Sequence, residues 1–482
     1  LTDSDRTASF AHWIGGQAVA PSHGEYFDSR NPIDDSLFAR AAKANATDVS
    51  RAVESADDAF QRYRRTLPKE REGWLLRAAE LLESQSRSFV DLLIDEVGSP
   101  IVKARREIAT SIGLLRAAAG ATRALAGKTM PTDVPGRISL SVRQPLGVIA
   151  GVTPFNVPLI KGIKHAAMPL ATGNTVVLLP SEEAPGVAHA IGKLFTEAGF
   201  PAGALNVISG VGSEIGDSLT THPAVRMVTF TGSSRVGAHI ALLCGQHRKR
   251  VTLEMGGKNA LVVLDDADLA RAVPAGVLGS FMYQGQICMA SSRIYVQRKV
   301  YETFLDRLVT AAEKLGMGDL RDESTVIGPI INERQRNRIR EHLADAVTQG
   351  ATVRCGNQWT QNRCHATVLT EVADTAILCG NETFGPVTSV YQVDTAEEAL
   401  ARANDTRYGL CGSVFTNDLN VAMRFANEMK AGMVHINGAT IQDEPHVPFG
   451  GVEESGFGRE STDVDIADLT QWKWITIQNS LT

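Results

Sequence analysis

The apolar positions of this chain change period along its length, and that change predicts its architecture. From Asp48 to Arg65, Val49, Ala52, Val53, Ala56 and Phe60 recur at the spacing of one helical face. A second helix is predicted from about Lys69 to Val97, with Trp74, Leu75, Ala78, Leu81 and Leu82 inward, and the first third of the chain reads as helical. Gly98-Ser99-Pro100 stops that helix with a residue free to turn left-handed and a ring that cannot continue it. Near Leu146 the texture becomes short β-branched and aliphatic runs: Leu146 to Val152, Thr175 to Leu179, Leu205 to Ser209 and Arg226 to Thr229. Helical stretches from Pro185 to Gly199 and Glu214 to Thr221 separate them, as in a mostly parallel sheet with helical crossovers. A second strand–helix series begins at Leu261 to Leu264 and runs to about residue 435, with an amphipathic helix from Lys299 to Lys314. Lys128 to Arg143 reads as an extended excursion between the helical and the sheet-forming parts.

Composition narrows the class. The chain has 482 residues, enough for roughly two or three domains. Its 43% hydrophobic and 21% charged content is that of a globular protein. The 48 basic against 54 acidic residues give a net charge of −6, which argues against nucleic acid as a partner. No apolar run approaches the roughly 20 residues of a membrane helix, and no secretory signal is visible. The six cysteines are too sparse for a disulfide scaffold and lack the close pairs of a zinc site, so no metal is expected. The expectation is a reduced, soluble, cytoplasmic enzyme.

Three side chains stand out as candidate chemistry. Cys288, in Gln284-Gly285-Gln286-Ile287-Cys288-Met289, is either a buried core thiol or a nucleophile beside a glycine that admits close approach. Glu254, in Leu253-Glu254-Met255-Gly256-Gly257-Lys258-Asn259, is either a solvated charge or a cleft carboxylate with a tuned pKa. Asn156, between Pro154 and Pro158, is either a turn former or an oxyanion donor held still by its prolines. After a strand, Phe230-Thr231-Gly232-Ser233 opens a helix whose N–H groups suit a pyrophosphate, although it is not the G-x-G-x-x-G fingerprint.

Taken in order, Phe155-Asn156, Phe230-Thr-Gly-Ser, Glu254-Met-Gly-Gly-Lys, Gly285-Gln-Ile-Cys288, Glu382-Thr-Phe-Gly-Pro, Pro448-Phe-Gly-Gly and Ser455-Gly-Phe-Gly-Arg resemble the aldehyde dehydrogenase superfamily over nearly the whole chain. The 34 positions between Glu254 and Cys288 also fit that family. The resemblance implies two Rossmann-like α/β domains with mostly parallel sheets and a small β bridging element. The dinucleotide-binding domain would use residues 1–125 and 145–255, the catalytic domain 256–445, and the bridging or oligomerisation element 126–144 and 460–482. It implies Cys288 as the nucleophile, Glu254 as the base for thioester hydrolysis, and Asn156 with the Cys288 N–H as oxyanion donors. Thr153, Pro154, Phe155, Leu179, Ser181, Glu182, Phe230, Gly232, Ser233, Glu382 and Phe384 would line the cofactor. Glu382 would bind the nicotinamide ribose, with Phe384 near the ring.

Three positions depart from the family pattern. Leu179 replaces the usual lysine that reaches the adenosine ribose or a 2′-phosphate, while Glu182 would repel that phosphate, which favours NAD with NADP possible. Lys164-His165 replaces a common Trp-Lys pair, and Val452-Glu453 replaces the end of a P-F-G-G-x-K segment, read as a surface change. The windows around Cys288 and from His435 to Glu444 look most like the branch acting on benzaldehyde, salicylaldehyde and vanillin. Ile287, Met289, Phe449 and Lys164 would then line an aryl pocket, the alternative for Lys164 being that it snorkels to solvent. The expected reaction is oxidation of an aldehyde to its acid by a homodimer or homotetramer. Competing readings are an acylating enzyme using coenzyme A, against which Glu254 weighs, a catalytically silent relative, and a thiol hydrolase.

Overall fold

The computed structural model describes residues 8–479. Residues 1–7 and 480–482, included in the first and last expected ranges, lie outside them. Two parallel-rich sheets dominate. The first has eight strands, and its five central ones are parallel, in the order Arg250–Glu254, Val225–Thr231, Val148–Thr153, Thr175–Pro180, Leu205–Val207. The strands are apolar on both faces because helices cover both, as the unbroken runs Val176 to Leu179 and Val148 to Ala150 require. The second sheet has seven strands, parallel from Thr367–Thr370 through Val387–Val393, Ser291–Gln297, Asn259–Val263 and Cys411–Phe415 to Met433–Ile436. One antiparallel edge strand, Thr352–Cys355, closes it.

The chain order of the first sheet reverses at Val148–Thr153. The next two strands in sequence lie on one side of it and the following two on the other. The crevice at the carboxyl ends of Val148–Thr153 and Val225–Thr231 is therefore a topological switch point, where open α/β sheets bind ligands.

A third sheet pairs Thr470–Gln478 with Arg137–Pro145 over nine consecutive residues, and Lys128–Met130 lies on the far side. The extended excursion is thus a β-structure, and its partner comes from the other end of the chain.

The helical reading of the first third needs two corrections. Five short strands, from Ala8–Phe10 to Leu37–Ala42, precede the first helix. They are only 3 to 6 residues long and half exposed, too short to impose a period on the sequence. The single helix expected over 69–97 is two helices, Pro68–Ser84 and Ser86–Val97, broken at Gln85. The apolar spacing runs on across the break, so periodicity alone does not reveal it. Gly98 does end the second helix, in the left-handed region with φ 67°.

Candidate active site

The chain leaves the first sheet at Glu254 and enters the second at Asn259, so Met255-Gly256-Gly257-Lys258 crosses directly from one sheet to the other. The glycines are required by contact. A Cβ on Gly256 would lie 2.2 Å from a carboxylate oxygen of Glu382, and one on Gly257 would lie 2.8 Å from the Cys288 carbonyl oxygen. The Gly257 N–H donates to Glu382 Oε1 at 3.1 Å. This crossing brings Glu254, Glu382 and the Cys288 loop together.

Cys288 follows a strained turn. Tyr283, Gln284 and Gly285 take φ of 48°, 52° and 66°, three successive left-handed residues. Gly285 permits this because a Cβ there would meet the Gly385 carbonyl oxygen at 2.1 Å. Side chains on both sides hold the loop. The Gln284 amide donates to Pro329 O at 2.8 Å, and Gln286 Oε1 accepts from the Ile331 N–H at 3.1 Å. Asn259 Nδ2 donates to the carbonyls of Cys288 and Ala290 at 2.7 and 2.9 Å. The Cys288 side chain is half-buried, so it is not sealed in the core. Burial pushes its thiol up to about 12; Lys161 opposes the shift, and Glu382 and Glu254 add to it.

Asn156 reaches this loop from the first sheet, its Nδ2 donating to Gln286 O at 3.0 Å. An amide carries two N–H donors, which leaves one for another acceptor. Its backbone is held by Lys103, whose Nζ donates to Asn156 O at 2.7 Å and pairs with Glu107 at 2.5 Å. Glu107 Oε1 in turn accepts the N–H groups of Leu159 and Ile160 in the first turn of the helix Pro158–Ala171. Sequence reasoning missed this buried Lys103–Glu107 pair. Its only sequence signal is an i, i+4 Lys/Glu spacing on a helix, which is usually a surface feature.

Glu254 is 2% exposed, and neither carboxylate oxygen has a hydrogen-bond partner. Burial and the neighbouring Glu460 hold its pKa well above the ordinary carboxylate value, with Lys161, Lys164 and Arg459 opposing. Gly450 packs on it, since a Cβ there would lie 2.5 Å from Glu254 Oε1. A buried carboxylate without a partner is costly, and such groups mark functional sites.

Behind Glu254 lies an ion cluster. Glu460 pairs with Lys161 at 2.6 Å and Lys164 at 3.4 Å, and lies 3.0 Å from His165 Nε2. Burial opposes ionisation of Glu460, but Lys161 and Lys164 outweigh it and hold its pKa well below 4.5. Lys164 does not reach solvent. Its side chain is 3% exposed, with Nζ 3.7 Å from Asp443 and 4.7 Å from the centre of the Phe449 ring. Burial works against its charge, and Asp443 and Glu460 overcome this and raise its pKa. Ile287, Met289 and Phe449 pack in one apolar cluster with Tyr283 and Ile441, with Cys288 at its edge. Glu460 was not singled out in the sequence, although it directly follows the Ser455-Gly-Phe-Gly-Arg459 motif.

The expected cofactor residues divide into two groups. Thr153, Pro154, Phe155, Ser181, Glu182, Gly232 and Ser233 sit at or just beyond the carboxyl ends of the switch-point strands. Ser233 precedes the helix Ser234–Gln246, whose start has no side-chain cap and so keeps N–H donors for a ligand. Phe155 and Phe384 meet edge-to-face at 5.9 Å between ring centres, Phe384 having φ 57°. The side chains of Leu179 and Phe230, by contrast, are 1% and 3% exposed in the sheet core. Strand alternation turns them away from the crevice, so only their backbone can face a cofactor. The free helix start, the crevice and the Glu182 carboxylate, 36% exposed and 4.0 Å from Arg334, fit a dinucleotide. Among the described residues no group of three or more metal-ligating side chains is assembled, and no helix is long and apolar enough to cross a membrane.

The model of the aldehyde dehydrogenase family matches residues 19–475. The chain belongs to the aldehyde dehydrogenase family. Its reaction is the nicotinamide-dependent oxidation of an aldehyde. It is 39% identical to a vanillin dehydrogenase of Pseudomonas fluorescens, over 97% of each chain. A crystal structure of a salicylaldehyde dehydrogenase from Pseudomonas putida G7, complexed with salicylaldehyde, superposes with a TM-score of 0.95 at 36% identity, covering 98% of this chain and 99% of that one. A betaine aldehyde dehydrogenase from Staphylococcus aureus in complex with NAD+ gives 0.95 at 30%, covering 98% and 96%. The aldehyde dehydrogenase fold expected from the sequence is thus the observed one.

Proposed function

We propose that this enzyme oxidises an aromatic aldehyde to the carboxylic acid with NAD, using Cys288, Glu254 and Asn156. The observation that carries the assignment of roles is the unpartnered buried carboxylate of Glu254, at the start of the crossing segment whose Gly257 packs against the Cys288 carbonyl. The Cys288 thiol loses its proton to solvent as it attacks a carbonyl, and a carboxylate with a raised pKa accepts a proton more readily than an ordinary one, which suits Glu254 to the water of the later step. The Cys288 sulfur adds to the aldehyde carbon, and the developing oxyanion is held by the second N–H of Asn156 Nδ2 and the Cys288 backbone N–H. A nicotinamide held near Glu382 and Phe384 would supply the hydride acceptor that the oxidation needs. Water then cleaves the thioester, with Glu254 taking the water's proton. Glu382, folded over Gly256 and Gly257, and Phe384 would face the nicotinamide end; Thr153 to Phe155, Ser181, Gly232 and Ser233 would face the rest of the dinucleotide.

Two features support the finer substrate and cofactor readings. The buried cluster of Ile287, Met289, Ile441 and Phe449 beside Cys288 makes the surroundings of the thiol apolar, which suits an aryl ring. The curated relative acts on vanillin by name and the solved one holds salicylaldehyde. For the cofactor, Glu182 projects at the end of Thr175–Pro180 while Leu179 points into the core, a pairing that suits a ribose diol better than a 2′-phosphate. We also propose a homodimer or homotetramer built on the exposed edge of Thr470–Gln478.

An aldehyde panel tests the reading. Benzaldehyde, salicylaldehyde and vanillin should show higher kcat/KM with NAD than acetaldehyde, with free acid as product in the absence of coenzyme A. Cys288→Ser should lower turnover to background. A preference for acetaldehyde would remove the aromatic assignment, and an active Cys288→Ser would remove the mechanism.

A further inference from the structure

A cleft of about 440 Å³ opens at the carboxyl end of the helix Pro158–Ala171, and four arginines line it: Arg64, Arg71, Arg123 and Arg143. No carboxylate is among its lining residues, while the hydroxyls of Thr66 and Thr172 are. Arg71 is the decisive member. It is 6% exposed, its terminal nitrogen donates to the Thr66 carbonyl at 2.8 Å, and its Nε is buried without any partner. A buried guanidinium is ordinarily matched by a carboxylate, because an uncompensated buried charge is costly. Among the described residues Arg71 has no ion pair within 4.0 Å, and Glu70 is the one carboxylate that acts on it, from outside the cleft lining.

The other arginines are held in place at the same opening. Arg143 lies 4.2 Å over the Trp472 ring and donates to Thr470 Oγ1 at 2.9 Å. Arg64 lies over the Phe60 ring, and Arg123 at the rim pairs with Glu72 at 2.5 Å. Glu72 offsets one of the four charges and leaves three guanidinium groups without a counter-ion in the lining. Planar guanidinium forks match phosphate oxygens two at a time, and several of them around one cavity favour a multiply charged anion.

We propose that this cleft binds a small phosphate-bearing anion carrying at least two negative charges, at a site separate from the active site. Thr172 directly follows the helix Pro158–Ala171, whose first turn follows Asn156, so about 21 Å of helix separates the two sites. The aldehyde and its acid carry too little charge to be the ligand.

Calorimetric titration of the NAD-saturated enzyme with pyrophosphate, inorganic phosphate and citrate at matched ionic strength tests this, with the dinucleotide keeping the probe out of the cofactor crevice. Saturable binding of one pyrophosphate per chain is expected, tighter than citrate. In the Arg64→Gln/Arg123→Gln variant, both changes being at exposed positions, affinity should fall about tenfold or more, with kcat unchanged in the absence of anion. Arg143→Gln should weaken binding independently. No saturable binding, whether because the cleft is covered in the assembled oligomer or for any other cause, overturns the proposal. So does equal affinity in wild type and both variants, and binding of citrate as tight as pyrophosphate removes the phosphate assignment.

Discussion

At the scale of single residues, the site sets two titrations against the ordinary order. Cys288 is pushed up to about 12 and Glu254 well above the usual carboxylate value, burial being the largest cause for each. Both shifts disfavour the charged, reactive forms, so reactivity should rise with pH. Alkylation of the cofactor-free enzyme by iodoacetamide, followed by mass spectrometry at Cys288, should climb about tenfold per pH unit through pH 9 without a plateau. A plateau near pH 7 would show that the thiol is already ionised. Glu254→Gln should keep the first hydride transfer, seen as a burst of NADH, and slow steady turnover by about 10²–10⁴. Loss of the burst as well would place Glu254 in thiol activation rather than only in thioester hydrolysis. These residue types stood out in the sequence through their glycine and proline neighbours. Their mutual placement did not, because Glu254 and Asn156 approach Cys288 only after two sheets meet.

Among the elements, the helix Pro158–Ala171 does most to organise the site. Its amino end is fixed by Glu107, its middle presents Lys161, Lys164 and His165 to Glu460, and its carboxyl end closes at the arginine cleft. Glu460 arrives from nearly 300 residues away, and the pairing was not legible from either segment alone. Its depressed pKa means that the cluster stabilises the fold above the unfolded-state carboxyl value of about 4.3, and that this stability is lost as pH falls through the folded-state value. Glu460→Gln should cost about 3–5 kcal/mol of unfolding free energy at pH 7, measured by denaturant titration. The difference from wild type should narrow as pH is lowered. A loss below about 1 kcal/mol would mean that the lysines find other partners. The strands of both sheets were legible because burial on two faces leaves unbroken apolar runs. The break at Gln85 was not, because both helices turn apolar faces of the same period inward.

For the whole molecule, the exposed edge strand Thr470–Gln478 carries the clearest consequence. Trp472, Trp474, Ile475 and Ile477 are 46%, 67%, 36% and 46% exposed, and the strand's outer edge is unpaired among the described residues. An edge of this kind is normally covered by another chain. Trp474→Lys should shift the mass measured by light scattering toward the monomer, with the far-ultraviolet circular dichroism preserved. An unchanged assembly would locate the interface elsewhere.

Local pattern settled a good deal here: the alternation of strands and crossover helices, the glycine and proline punctuation, and the ordered motifs that mark the family. Those features act over a few residues, through backbone sterics and the period of apolar burial, so a linear reading captures them. Which face each side chain presents was decided only by packing. Leu179 and Phe230 turned into the core, Lys164 turned from solvent to an ion cluster, and Arg71 was left buried with its Nε unpartnered. The reason is that burial and electrostatics depend on groups tens to hundreds of positions apart, whose distances exist only once the two sheets are assembled.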